Sequence, residues 1–241
     1  MQRPIARPKQ ISSGALSGRH NGQMIASHWP LFSLKLTTKR LELRLPSLDD
    51  LAALADVAAD GVHDPAVQPF GVPWTDATPM ERARATLQYH WRKWGSWQPD
   101  DWSLDFVTVV DGVVAGTQGL DAQNFAILRQ VHTGSWLGRR FHGNGLGTEM
   151  RAAALHLAFT GLAARSAISG AFDNNAASLG VARSLGYDDD GVEWRLNRGQ
   201  RGVIRRLRID RETWFAHPRP DVEIEGLEAC RSEFGIGGGR A

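Results

Sequence analysis

Between Gly138 and Thr148 the chain reads Gly138-Arg139-Arg140-Phe141-His142-Gly143-Asn144-Gly145-Leu146-Gly147-Thr148. Three glycines within five residues, set between an apolar run and a helix-forming stretch, let the backbone approach a ligand closely. They leave amides pointing outward at a helix start, where unpaired donors and the positive end of the helix dipole favour a diphosphate. Arg139 and Arg140 precede the turn and would add positive charge. The alternative is a plain strand–helix connection whose glycines serve only the turn. A Walker loop is excluded, because no Gly-Lys-Ser/Thr is present. A dinucleotide-binding fold fits poorly, since the preceding strand order is wrong and the acidic ribose partner is missing.

Local patterns supply the frame that must hold this turn. Leu41, Leu43 and Leu45 alternate with Glu42 and Arg44, which predicts one half-buried strand over 34–45. Ser47-Leu48-Asp49-Asp50 reads as a capping box, and Leu51, Leu54, Ala55 and Ala58 recur at helical spacing. His63-Asp64-Pro65 ends that helix, a Pro-rich loop runs to Pro73, and a second helix is expected over 79–95. Asp111-Gly112 between two apolar runs predicts a hairpin of 103–110 with 113–120, because both turn positions want positive φ. A strand over 131–137 leads into the glycine turn and a helix over 145–162 leaves it. A strand over 167–171, a short helix over 176–185 and strands over 192–196 and 202–209 complete the order β-α-α-β-β-β-α-β-α-β-β. That is an α+β plan with a mixed sheet.

Arg140-x-x-Gly143-x-Gly145 resembles the Arg/Gln-x-x-Gly-x-Gly/Ala signature of the GNAT acyl-CoA N-acyltransferases. The longer run Gly134-Ser135-Trp136-Leu137-Gly138 through His142-Gly143-Asn144-Gly145-Leu146-Gly147-Thr148-Glu149 resembles the branch that acetylates N-termini of ribosomal proteins. Asn175-x-x-Ser178 and Leu185-Gly186-Tyr187 match that branch in the same order, so the resemblance spans about 34–214. The Trp-rich front half and the ending through Cys230 also resemble a sub-branch with members that bind succinyl-CoA.

The resemblance implies a splayed mixed sheet flanked by helices, with acyl-CoA in the V-shaped gap. The strand ending at Trp136-Leu137 would pair with the pantetheine amides, and amides from Gly143 to Thr148 would hold the pyrophosphate. The implied donor site is therefore Trp136, Leu137, Gly138, Arg139, Arg140, His142, Gly143, Asn144, Gly145, Leu146, Gly147, Thr148 and Asn175. Asn175 and Ser178 share a helix face. The family pattern makes Ser178 the candidate acid for the departing thiolate, with an ordinary surface hydroxyl and a helix-capping Asn175 as the alternatives. Asp121, His132 and Glu149 are the candidate bases that a neutral amine nucleophile calls for, unless ordered water serves. Acetyl-CoA is the default donor and succinyl-CoA the alternative; a terminal carboxylate would need a cation, for which Arg92, Lys93, His63 and His132 are available. The acceptor would be a small-molecule amine or a protein N-terminal amine. A non-catalytic acyl-CoA sensor is the competing class.

Composition narrows the field further. The 241 residues include 28 Lys or Arg, 26 Asp or Glu and 42% hydrophobic residues, ordinary values for a soluble globular protein, and a cytoplasmic location is expected. The near-zero balance argues against a nucleic-acid partner, and the lack of a long apolar run argues against a membrane one. A single cysteine, Cys230, excludes an internal disulfide and zinc sites built from several thiolates, and no metal is implied. Trp74, Trp91, Trp94, Trp97 and Trp102 crowd one stretch. Core packing or a homodimer contact is their expected use. An aromatic acceptor pocket lined by His63, Asp64 and Trp74 is the alternative. Residues 1–28, basic and without periodicity, are expected to be a disordered extension. The catalytic domain would then span 29–216, with 217–241 packing on it and disordered at the end.

Overall fold

The computed structural model describes residues 25–237, so most of the expected N-terminal extension, residues 1–24, lies outside the described residues. Its last four residues, 25–28, form a helical turn that leads to Trp29. Two short strands follow, β1 (Lys35–Thr37) and β2 (Leu41–Arg44), then helices α1 (Leu48–Asp60) and α2 (Pro79–Gly95). The long hairpin β3 (Asp101–Val110) and β4 (Val113–Gln123) precedes the one-turn helix α3 (Phe125–Leu128) and β5 (Gln130–Leu137). Helix α4 (Leu146–His156), β6 (Ser166–Phe172), α5 (Ala176–Leu185), β7 (Asp188–Asn197) and β8 (Gln200–Asp210) complete the second half. Helix α6 (Arg211–Phe215), β9 (Glu223–Glu225) and α7 (Leu227–Cys230) form the tail.

Local chemistry explains most of these limits. Both capping boxes are made: Ser47 with Asp50 at α1, and Thr78 with Glu81 at α2. Asp111 and Gly112 take the positive φ their turn demands. The single strand expected over 34–45 is instead two antiparallel strands, with Leu36 opposite Leu43. Thr38 causes the break, because its hydroxyl accepts from Leu41 N at 3.2 Å and closes a tight turn.

The strands form one sheet in the order β7-β8-β6-β5-β4-β3-β2-β1-β9. Helix α1 covers one face, where Leu54 packs on Val107, Val109 and Val114. Helix α4 covers the other and shares the main core with Leu104, Phe106, Phe159 and Trp214. The tail closes the sheet edge through β9 on β1, and Phe234 seats against Trp97 and Trp102.

One junction matters most for function. Strands β5 and β6 are parallel and pair only at Gln130↔Ser166, Val131↔Ala167 and His132↔Ile168. Beyond His132, β5 pairs with β4 alone, so the sheet opens between β5 and β6.

Candidate active site

The opening is a cavity of about 540 Å³ lined by Ser135, Trp136 and Leu137 of β5, the glycine turn, the start of α5 and the loop after α1. Gly143 and Gly145 both hold positive φ, a conformation that glycine adopts without a Cβ penalty. Gly145 is the N-cap of α4 and provides no side-chain cap, so the first-turn amides of that helix keep their donors for a ligand. Arg40 reaches this turn from the β1–β2 connection. Its guanidinium donates to Asn144 O at 2.9 Å and pairs with Glu149 at 2.5 Å. Thr38 Oγ1 donates to the same carboxylate at 2.6 Å. Glu149 is thus a tie between the helix start and β1–β2, which explains it without acid–base work.

The far wall belongs to α5. Asn175 Oδ1 accepts from Ser178 N at 3.1 Å and caps this helix, while Ser178 and Asn175 both line the gap. Arg151, which also lines the gap, is 4% exposed. Its Nη2 donates to Ser135 Oγ at 3.3 Å, and among the described residues Nε and Nη1 have no partner.

A second cavity, of about 550 Å³, lies under the C-terminal end of α2, against the closed end of the β5–β6 junction. Asp121 and His132 line it, opposite each other on β4 and β5. His132 Nδ1 stands 3.5 Å from Asp121 Oδ2, at the edge of hydrogen bonding. Ser103 Oγ bonds closely to Asp121 Oδ1 and lies 3.2 Å from Asp105 Oδ2. Burial works to raise the Asp121 pKa, but hydrogen bonds from His132 and Ser103 outweigh it and hold the carboxyl below its ordinary value. Burial, then the neighbouring Asp121 charge, push Asp105 up to about 7.

Family comparison decides what an opened sheet with a glycine turn at its mouth means. The model of the acetyltransferase (GNAT) domain matches residues 40–188, more than half of the chain. The chain belongs to the GNAT acetyltransferase family. Among solved structures it is similar to Mycobacterium smegmatis RimJ in complex with CoA-disulfide, at 18% identity and TM-score 0.63, covering 83% of this chain and 92% of that one. RimL, a ribosomal L7/L12 alpha-N-protein acetyltransferase in complex with coenzyme A, matches at 18% identity and TM-score 0.57, covering 72% and 95%. The ribosomal-protein-S5-alanine acetyltransferase of Vibrio fischeri matches at 16% and TM-score 0.57, covering 76% and 99%. At such identities the likeness is one of fold.

Within this GNAT frame the sequence-derived residues divide into three places. Trp136, Leu137, His142, Gly143, Gly145, Leu146, Gly147, Thr148, Asn175, Ser178, His63 and Asp64 all line the gap. Gly138, Arg139 and Arg140 line a separate recess with Val57, Asp60 and Gly61, so the cation beside the glycine turn is Arg40. Asn144 contributes its carbonyl to Arg40 and its side chain to His142 O. Asp121 and His132 sit in the second cavity.

Trp74 backs the gap, 5.7 Å from Trp136 and 5.4 Å from Phe70 between ring centroids. The other tryptophans pack elsewhere: Trp97 and Trp102 stack in the core and Trp94 meets Phe32 edge-on. Trp91 stays half exposed. His63 uses both ring nitrogens, on Asp64 O at 2.8 Å and Thr75 Oγ1 at 2.7 Å. Arg198, at the β7–β8 turn, clasps Asp76 at 2.5 Å and thereby ties that turn to the loop lining the gap. Tyr187 is buried with its hydroxyl 3.0 Å from Thr133 Oγ1, which gives the Leu-Gly-aromatic ending a packing role. Cys230 is buried and its thiol is pushed up to about 11 by burial, against any use as a nucleophile.

Arg40, Arg151, Ser103 and Asp105 escaped sequence reasoning. Ser103 and Asp105 carried a faint signal, as two polar residues two apart in a strand whose other residues from Trp102 to Val107 are apolar.

Proposed function

We propose that the protein transfers an acetyl group from acetyl-CoA directly to a primary amine, a protein N-terminus or a small molecule. The observation that carries this reading is the junction itself. The sheet opens beyond His132 and Ile168, an uncapped helix start faces the opening, and Ser178 stands across it. The amides at the start of α4 hold the diphosphate, with Arg40 beside them, and the free edge of β5 aligns the pantetheine arm. The acceptor enters between the loop after α1 and the Arg198 turn, past His63, Asp64 and the Trp74 ring.

The chemistry needs two proton transfers. His132 Nε2 takes an N–H proton from the neutral amine as the N–C bond forms. The C–S bond then breaks toward sulfur, the Ser178 hydroxyl protonates the thiolate, and solvent carries the proton from imidazolium back to Ser178. Thiol release from acetyl-CoA against a panel of peptides and amines tests the proposal. Turnover with at least one amine is expected. Binding of acyl-CoA with no turnover across the panel would assign the chain to the sensor class instead.

Arg151 favours a second reading of the donor. A buried guanidinium with two unpaired nitrogens is costly unless an anion completes it. The terminal carboxylate of a succinyl group would do so, whereas acetyl cannot. None of Arg92, Lys93, His63 and His132 is needed for that role. Competition between acetyl-CoA and succinyl-CoA decides: a clear succinyl preference that Arg151→Met abolishes establishes the second reading.

A further inference from the structure

Beneath α2, four side chains from three strands form a chain that ends at the opened junction. Tyr89 Oη donates to Asp105 Oδ1 at 3.1 Å, and Ser103 bridges Asp105 to Asp121, which faces His132. The groups around it are Tyr89 and Lys93 from α2, Asp101, Ser103 and Asp105 from β3, Asp121 from β4 and His132 from β5. Asp105 is only 4% exposed, and among the described residues no cation pairs with it.

Two carboxylates joined by one hydroxyl cannot both carry charge comfortably, so the more buried one keeps the proton. The hydrogen bonds then have one consistent direction. Tyr89 donates to Asp105, neutral Asp105 donates to Ser103, and Ser103 donates to the Asp121 carboxylate. Asp121 is the negative end, and among the described residues His132 Nδ1 is the donor that faces its second oxygen.

A glycine clears the space the buried carboxyl needs: a Cβ on Gly119 would lie 3.0 Å from Asp105 Oδ1, whereas one on Gly134 would sit in ordinary contact, 3.9 Å from His132 Cε1. Gly134 stands between His132 and Trp136 on the same face of β5, because side chains alternate along a strand. His132 Cε1 lies beside Gly134, so the ring sits toward the Trp136 end of the strand, which lines the gap.

We propose that Asp105 is a positioning residue for acyl transfer. As a neutral acid it donates through Ser103 to Asp121, which holds the His132 ring with Nδ1–H inward and Nε2 toward the acceptor amine. This rests on His132 as the base. Asp105 touches no reacting atom; it sets which nitrogen of His132 is free. Its own ionisation, at about pH 7, breaks the donor chain and releases the ring.

The test measures kcat and KM against pH for the full chain carrying Asp105→Ala, Asp105→Asn or His132→Ala. Asp105→Ala should lower kcat by roughly a hundredfold, with KM for acyl-CoA nearly constant. Asp105→Asn keeps a neutral donor, so its loss should stay within about tenfold, and the fall in kcat on the alkaline side of pH 7 should disappear. An Asp105→Ala enzyme with wild-type kcat, or an Asp105→Asn profile that keeps that alkaline fall, overturns the proposal. Should Asp105→Ala not fold, Ser103→Ala breaks the same chain and should lose kcat to a similar degree. His132→Ala tests the base reading by itself. An impaired His132→Ala beside an unimpaired Asp105→Ala removes only the positioning role; a wild-type His132→Ala removes both.

Discussion

The two cavities flanking the β5–β6 junction are similar in size, about 540 and 550 Å³, and opposite in construction. The first, the proposed donor gap, is built mainly from backbone: a free strand edge, two left-handed glycines and an uncapped helix start. The recess under α2 is lined by side chains, Ser103, Asp121 and His132 from three strands, with Asp105 hydrogen-bonded to Ser103 and Tyr89 to Asp105 behind them. A backbone site tolerates drift in its surrounding residues, because amides are present whatever the side chains are. A side-chain network fails when one member is lost, since the remaining buried groups are left unsatisfied. The difference teaches where each kind of damage should show: in affinity on the donor side, in rate and pH dependence on the other.

The largest expected effect falls where the two regions meet in the reaction. Ser178→Ala should lower kcat by roughly tenfold to a thousandfold while acyl-CoA binding stays nearly intact, because the hydroxyl acts mainly in the transition state. Ala also preserves the helix. Steady-state kinetics beside direct CoA titration separates this from a pantetheine contact, which would weaken binding and spare kcat. Gly145→Asp places a side chain and a negative charge at a left-handed position facing the diphosphate. CoA affinity should fall at least tenfold, about 1.4 kcal/mol, by calorimetry on the folded variant. Unchanged affinity would break the claim that the donor side is a backbone site.

Asp105→Asn sharpens the contrast through stability. The folded pKa of Asp105, about 7, stands above the carboxylate's ordinary 3.8, so the native state holds a proton that the unfolded chain releases. Its contribution is most favourable below pH 4 and is lost as pH rises to about 7. The asparagine variant should therefore melt above wild type at pH 8, with the gap narrowing as pH falls toward 5. A gap that does not change with pH would show that Asp105 carries no such proton. The smallest effect belongs to the clasp at the acceptor entrance. Arg198→Ala should raise KM for the acceptor a few-fold and leave kcat and CoA affinity alone, because a solvent-exposed ion pair contributes little beyond holding the loop.

Most of the fold and half of the site were legible in the residue order. The capping boxes, the Asp111-Gly112 turn and the 143–147 glycines act through contacts a few residues long, so periodicity and spacing carry their whole cause. Thr38 shows the limit even at short range, since one hydroxyl turned an apparent strand into two. The Arg139–Arg140 pair fails for a related reason. Adjacency in the chain does not fix direction, and after Gly138 the backbone takes both side chains away from the gap.

The carboxylate network lay beyond reach because it depends on register. Unbroken pairing from the Asp111-Gly112 turn, with Val110 opposite Val113, would set Ser103 against Leu120 and send Asp121 to the opposite face. Instead the β3–β4 pairing shifts between Thr108 and Val109, leaving Ala115 as the extra residue, and Ser103 comes to face Asp121 and Asp105 to face Gly119. A one-residue slip in a strand moves every later side chain to the other side of the sheet. By itself the sequence determined the elements, the glycine turn and the family. Only the tertiary structure, through one bulge and the parting of β5 from β6, decided which acids meet across Ser103 and which cation stands beside the glycine turn.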